Sequence, residues 1–228
     1  MSLFGQFLEI SVPVDDIQES LAWYCQLGFT ECPVGDIYDH HYAVVTDGRI
    51  NIGLHDQELE GLTLSFVRPE LRSRLQELEA LGLETEEVYQ GEERFHEVTL
   101  TDPDGLPVRL LEARSFSAAN ADETPLTGGI RHIEVFTRDA EQLTAFWCAG
   151  GLDVHADDDD EDSFELLSKG LSIKVTEGRG KNALNFYCQN PATLESVLIN
   201  KDMPYKKKAG TISLMAPEGT RLLISASH

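Results

Sequence analysis

The feature that most constrains this chain is a pattern written into it twice. Leu8, Ile10, Val12 and Val14 alternate with Glu9, Ser11 and Pro13, the period of two of a half-buried strand. Asp15 and Asp16 then offer an N-cap, with Glu19 placed as in a capping box. Ile17, Leu21, Tyr24 and Cys25 recur at helical spacing, and Gly28 closes the helix. The same strand, turn and helix return at 130–151. Glu9 corresponds to His132, Asp16 to Asp139, Trp23-Tyr24-Cys25 to Phe146-Trp147-Cys148 and Gly28 to Gly151, each pair 123 positions apart. That period is far too long for a solenoid and predicts two related domains.

Each half holds a weaker second echo. Leu64 to Val67 followed by Leu75, Leu78 and Leu81 reads as strand then helix, as does Leu184 to Cys188 followed by Leu194, Val197 and Leu198. Both echoes end in a turn before a strand: Asp102-Pro103-Asp104-Gly105 before Val108 to Leu111, and Ala216-Pro217-Glu218-Gly219 before Leu222 to Ile224. Proline presets φ and glycine accepts a positive φ, so both series are turns for a physical reason. Asp47-Gly48 is a further hairpin signal between Tyr42 to Thr46 and Ile50 to Leu54. The expected organisation is a first domain over 1–114, a linker over 115–129 and a second domain over 130–228. Short strands and helices alternate throughout, so the class is α+β.

Charge narrows the partners. Eighteen basic residues against forty acidic ones give −22, which disfavours nucleic acid and anionic membrane surfaces as partners. No apolar run is long enough to span a membrane, and Met1 to Gln6 lacks the basic and apolar regions of a signal peptide, so a cytoplasmic location is expected. Cys25, Cys32, Cys148 and Cys188 lack metal-binding spacing and read as buried, reduced thiols. The acidic run Asp157 to Asp162 has no glycine inside it and reads as a solvated loop rather than a calcium loop. Lys206 to Lys208 reads as protection of an edge strand.

The opening strand with Val14-Asp15-Asp16, the series Trp23-Tyr24 and Leu27-Gly28-Phe29, and the Asp102-Pro103-Asp104-Gly105 turn resemble the vicinal oxygen chelate superfamily. That superfamily includes glyoxalase I, bleomycin and fosfomycin resistance proteins and extradiol dioxygenases. The resemblance covers nearly the whole chain. It implies tandem glyoxalase-like domains, each of two βαβββ modules forming a curved mixed sheet around a cleft. In the enzymes it implies a divalent metal in that cleft, held by side chains of the modules' first and last strands. The corresponding positions are Glu9, Gly53, Thr63 and Arg109 in the first half. In the second they are His132, Lys174, Ala183 (within one or two residues) and Leu223.

Only Glu9 and His132 among these are good ligands, so the usual metal set is incomplete in both halves. No cofactor is therefore expected. The alternative is a divalent metal on an unconventional set of Glu9, His55 and His96. Glu9 should approach Arg109, and His132 should approach Lys174, either as pairs filling the vacated sites or as groups that hold a ligand. Trp23, Tyr42, Phe66 and Trp147 are candidates for apolar walls. Three functions stay open: a metal-free protein binding a small, anionic molecule through Glu9, Arg109, His132 or Lys174; a lyase, dioxygenase or metal-free acid–base enzyme; and an interaction scaffold. A monomer or a homodimer fits each of them.

Overall fold

A computed structural model describes residues 2–34, 40–89, 96–113, 124–157 and 163–226. The first half runs β1 (Gln6–Pro13), α1 (Ile17–Gln26), β2 (Thr30–Cys32), β3 (Tyr42–Thr46), β4 (Asn51–His55), β5 (Thr63–Val67), α2 (Leu71–Ala80), β6 (Thr85–Tyr89), β7 (Glu97–Thr101) and β8 (Pro107–Leu111). The second half runs β9 (Gly129–Thr137), α3 (Ala140–Gly150), β10 (Asp153–Ala156), β11 (Ser163–Ser168), β12 (Leu171–Glu177), β13 (Ala183–Cys188), α4 (Pro191–Asn200), β14 (Lys206–Lys208), β15 (Thr211–Met215) and β16 (Arg221–Ala226). Each half is therefore two βαβββ modules, in an α+β arrangement.

The strands form two eight-stranded mixed sheets of the same topology. The first has the order β2-β3-β4-β1-β5-β8-β7-β6, and the second β10-β11-β12-β9-β13-β16-β15-β14. Within a module the first strand lies parallel to the last, as β1 lies on β4 and β5 on β8. The modules join through their antiparallel first strands, β1 on β5 and β9 on β13. Four strands of each sheet thus meet at its centre, two from each module.

Local chemistry sets the helix ends. The Asp16 carboxylate accepts the backbone N–H groups of Gln18 and Glu19 and starts α1, while Asp139 accepts that of Gln142 and starts α3. Gly28 and Gly151 follow the two helices at φ 90° and 97°, where a side chain would be strained. Along the central strands alternate residues face the helices. Ile10, Val12, Ile52, Leu54, Leu64 and Leu110 lie in the core with Tyr24 of α1 and Leu78 of α2. Glu9, Ser11, His55, Ser65 and Arg109 occupy the other face.

One continuous core contains residues of both halves. Phe4, ahead of β1, lies against Phe146 and Trp147 of α3 with ring centroids 5.7 and 5.9 Å away, and its backbone N–H donates to the Gly150 carbonyl. The Trp147 Nε1 donates to Asp102 Oδ2 at 3.2 Å. Related by the repeat, the Tyr24 hydroxyl donates to Glu218 Oε1 at 2.8 Å, and Ser20 Oγ donates to Glu218 Oε2. Each helix aromatic therefore reaches the proline-glycine turn of the other half.

Several expectations change. Residues 115–123 of the linker lie outside the described residues. Of the remainder, Pro125 and Leu126 pack on Gly28, and the Leu126 N–H donates to the Leu27 carbonyl. Cys25 and Cys148 are exposed on the outer sides of their helices; only Cys32 and Cys188 are buried. Leu81 ends α2 in solvent rather than in the core. Phe66 and Trp147 belong to the helix-side core and Trp23 packs against it, so none of the three lines the open face. Lys206 to Lys208 do form an exposed edge strand. A β-carbon on Gly150 would meet the Phe4 ring. Gly150→Ala is expected to cost about 1–3 kcal/mol in urea unfolding, part of it recovered by adding Phe4→Leu.

Candidate functional site

The open face of the first sheet gathers a buried polar cluster at its centre. Glu9 and Ser11 come from β1, His55 from β4, Ser65 from β5 and Arg109 from β8. All five are buried, and Arg109 is only 2% exposed. The register sets Ser65 across from Glu9 and beside Arg109. His55 Nε2 and Glu9 Oε1 are 2.8 Å apart, and Ser11 Oγ donates to the same Glu9 oxygen at 2.9 Å. Ser11 Oγ also lies 2.8 Å from Ser65 Oγ. Arg109 reaches this pair of hydroxyls through Nη2 at 3.2 Å and Nε at 3.4 Å. Its Nη1 donates to Gln57 Oε1 at 3.4 Å and lies 3.7 Å from Glu97 Oε1. Burial alone would raise the Glu9 pKa. The hydrogen bond and charge of His55, then Ser11 and the Arg109 charge, outweigh it and hold the carboxyl below its usual value.

Gly53 explains how the pair fits. A β-carbon there would lie 2.5 Å from both Glu9 Oε1 and His55 Nε2. The missing side chain is the space that the carboxylate–imidazole contact fills. On the far side of His55, Nδ1 lies 2.8 Å from His40 Nε2, and the Tyr42 ring stacks on the imidazole with an interplanar angle of 6°. Beside Arg109 opens a cleft of about 1280 Å³, lined by Thr63, Thr99, Gln57 and Glu97 and closed at one end by Pro217 and Glu218 of the second half.

The second sheet carries different residues at the same places. His132 stands where Glu9 does, and Asn185 lies across from it. Lys174 is paired with Glu134, and Leu223 with Asn185. Lys174 Nζ donates to Asp157 Oδ2 at 2.6 Å, and Ser163 Oγ donates to the same oxygen at 3.1 Å. His132 is 8% exposed, and its Nδ1 has no hydrogen-bond partner among the described residues. Burial, followed by the positive charges of Arg131 and Lys174, lowers its pKa to about 4 against an opposing effect of Asp157. The imidazole is therefore neutral at pH 7.

No protein-family model matches the sequence, and no curated protein does. Solved structures do match over nearly the full chain. A catechol 2,3-dioxygenase is 16% identical, with 97% of this chain and 87% of that chain covered at a TM-score of 0.62. Homoprotocatechuate 2,3-dioxygenase from Arthrobacter globiformis is 15% identical, covering 98% and 80% at a TM-score of 0.68. The 2,3-dioxygenase LapB from Pseudomonas sp. KL28 is 17% identical, covering 97% and 92% at a TM-score of 0.65. The chain has the vicinal oxygen chelate fold.

The residues present do not fit the divalent metal that this fold implies. At the four positions of the first domain stand Glu9, Gly53, Ser65 and Arg109. One offers a carboxylate, one no donor, one a hydroxyl and one a fixed cation. The β5 residue in the cluster is Ser65 rather than the expected Thr63, which pairs two residues along with Ser11. In the second domain the set is His132, Lys174, Asn185 and Leu223, Asn185 lying two residues from Ala183. Among the described residues no three His, Cys, Asp or Glu side chains are grouped to hold a metal ion. The set of Glu9, His55 and His96 does not assemble. Glu9 and His55 bond to each other, while His96 lies before β7 and pairs through Nδ1 with Glu112.

Arg109 comes to the Glu9 cluster through Ser11, and the Lys174 charge acts on His132. Sequence reasoning missed Ser11, Ser65 and Gln57 as the bridging groups. Ser11 and Ser65 alternate with core residues on strands already identified, which was the available signal; Gln57 lies in the polar connection after β4, where no periodicity marks it.

Two outcomes are expected. Gly53→Ala should separate the Glu9–His55 pair and cost about 1–3 kcal/mol, read by chemical denaturation. For His132, a base whose folded pKa is depressed, the unfolded chain takes up the proton first. Stability is then fully present above pH 6.5 and lost as pH falls from 6.5 to about 4. His132→Gln should abolish roughly 3 kcal/mol of that acid-side loss.

Proposed function

We propose that the protein binds a small molecule in the first-domain cleft and does so without a divalent metal. The observation that carries this reading is the filling of the ligand positions. Gly53 leaves room for a Glu9–His55 contact, and the Arg109 guanidinium supplies a fixed positive charge where the fold's metal would supply one. The cleft of about 1280 Å³ beside Arg109 is large enough for a drug-sized ligand. Arg109 then acts as the charged floor that orients the ligand, with Glu9 behind it through Ser11, and Gln57 and Thr99 offer hydrogen bonds beside it.

The solved structures of this fold are named as 2,3-dioxygenases; on the reading proposed here, the first-domain floor holds a ligand by charge and hydrogen bonds instead of through a metal. The tandem repeat supplies each domain with its partner inside one chain, so a monomer suffices. The acidic surface suits a cytoplasmic protein that avoids nucleic acid and membranes. No helix among the described residues is long and apolar enough to cross a membrane.

One observation favours a second reading, metal-free acid–base chemistry. Glu9, His55 and His40 form a continuous chain of 2.8 Å contacts, the arrangement by which a carboxylate fixes the tautomer of an imidazole. Turnover that depends on His55 but not on metal would support it.

The test is a thermal-shift screen of small molecules, with metal analysis of protein purified without chelator. The expected result is substoichiometric metal and at least one ligand that stabilises the chain, by about 2.7 kcal/mol at a hundred times its Kd. Thr99→Trp, which fills the cleft, should remove that stabilisation. Stoichiometric metal whose removal lowers Tm would overturn the reading.

A further inference from the structure

The cleft beside Arg109 has a smaller counterpart in the second half. A cavity of about 710 Å³ opens where β9 leads into α3, between the β12–β13 loop and the proline-glycine turn of the first half. Its walls repeat those of the first cleft at the same spacing of 123 positions: Phe136 stands for Pro13, Arg138 for Asp15 and Arg179 for Asp56. Pro103 and Asp104 close it from the other half, as Pro217 and Glu218 close the first. The repeat therefore keeps the cavity and reverses the charge at two of its positions. Among the described residues the first cleft is lined by six carboxylates and one guanidinium, the second by two of each.

Neither guanidinium is committed elsewhere. With forty acidic residues to eighteen basic, a surface cation has carboxylates near it almost anywhere on this chain. Lys174, Arg74 and Lys207 each take one. Arg138 and Arg179, both exposed, form no ion pair among the described residues. Asp139, next in the chain to Arg138, instead turns its Oδ1 to the Gln142 N–H as the cap of α3. The cavity also has an apolar side. A β-carbon on Gly180 would meet the Phe136 ring, so the glycine lets that ring lie against the β12–β13 loop, with Pro103 as the second apolar surface. Gln142 and Asn182 add amide donors to the lining.

We infer that this second cavity binds a small organic phosphate, its phosphate taken by Arg138 and Arg179 and its apolar body resting on Phe136 and Pro103. Guanidinium is a fixed cation whose forked donors match the oxygens of a phosphate, and a phosphate monoester near pH 7 carries close to two negative charges for the two arginines. Asp104 and Asp139 disfavour anions that bring less charge or fewer oxygens, so the phosphate is selected over a single carboxylate. The two clefts of one fold thereby serve ligands of different charge, the difference lying in Asp15 against Arg138 and Asp56 against Arg179. The second site stands independently of any ligand in the first-domain cleft.

The test is a titration with phenyl phosphate at constant ionic strength, read by NMR on the backbone amides of Gly178 and Gly180, which flank Arg179 in the cavity wall. Both are expected to shift and saturate. Inorganic phosphate, which lacks the ring, and benzoate, which carries a single charge, should each bind about tenfold more weakly, and benzyl alcohol should leave both amides unmoved. Arg138→Gln and Arg179→Gln should each weaken phenyl phosphate by about tenfold, and the two together should abolish saturation. Lys169→Gln, which removes one charge from the exposed turn between β11 and β12, should leave the curve unchanged. The absence of a saturable shift, benzoate or benzyl alcohol matching phenyl phosphate, saturation that survives the double substitution, or an equal effect of Lys169→Gln would each overturn the inference.

Discussion

Tyr24 and Trp147 each carry one polar atom into a core shared by two domains, and each atom has to find a partner there. A buried donor left alone costs about as much as several packing contacts supply. Both find a carboxylate on the opposite domain's proline-glycine turn, Glu218 for Tyr24 and Asp102 for Trp147. The Asp102 carboxylate, whose pKa burial raises, also accepts the Asp104 and Leu106 N–H groups that shape its own turn. The same contacts thus form the turn, orient the helix and fix the relation of the two sheets. The first-domain cleft inherits one wall from this arrangement, since Pro217 and Glu218 belong to the second half.

The two open faces solve one problem in opposite ways. Each sheet brings four central strands together and so presents the side chains of all four to one region. In the first domain a carboxylate, an imidazole, two hydroxyls and a guanidinium neutralise and hydrogen-bond one another. In the second, burial first, and then the charges of Arg131 and Lys174, disfavour a protonated His132, and the imidazole stays neutral. A buried charge needs a partner, and a buried base can instead become neutral.

Much of the architecture was legible in the chain. The repeat of Glu9 as His132 and of Tyr24 as Trp147 places first strands and helices in equivalent roles, because alternation and helical spacing are local properties. The placement of Glu9 and Arg109 at one point was legible only through the resemblance. His55 was grouped with Glu9 there as a metal ligand; that the two bond to each other was not legible, because the contact depends on what Gly53 lacks, and an absent side chain leaves no hydropathy signal. Phe66 and Trp147 were misplaced as wall residues because an aromatic on a two-sided sheet or an amphipathic helix looks the same whichever face it takes. Ser65 stands in the cluster instead of Thr63 because the β1–β5 register sets it across from Glu9, and a pairing register between distant strands is not written in either strand alone.

Asp47 ties the two halves together through one side chain. One of its oxygens accepts the N–H groups of Arg49 and Ile50 within its own hairpin, and the other accepts the N–H of Ile130, at the start of β9, at 2.6 Å. The carboxylate is only 5% exposed, so water cannot readily replace either set of donors. Loss of this one group therefore loosens the turn of one sheet and the central strand of the other at the same time.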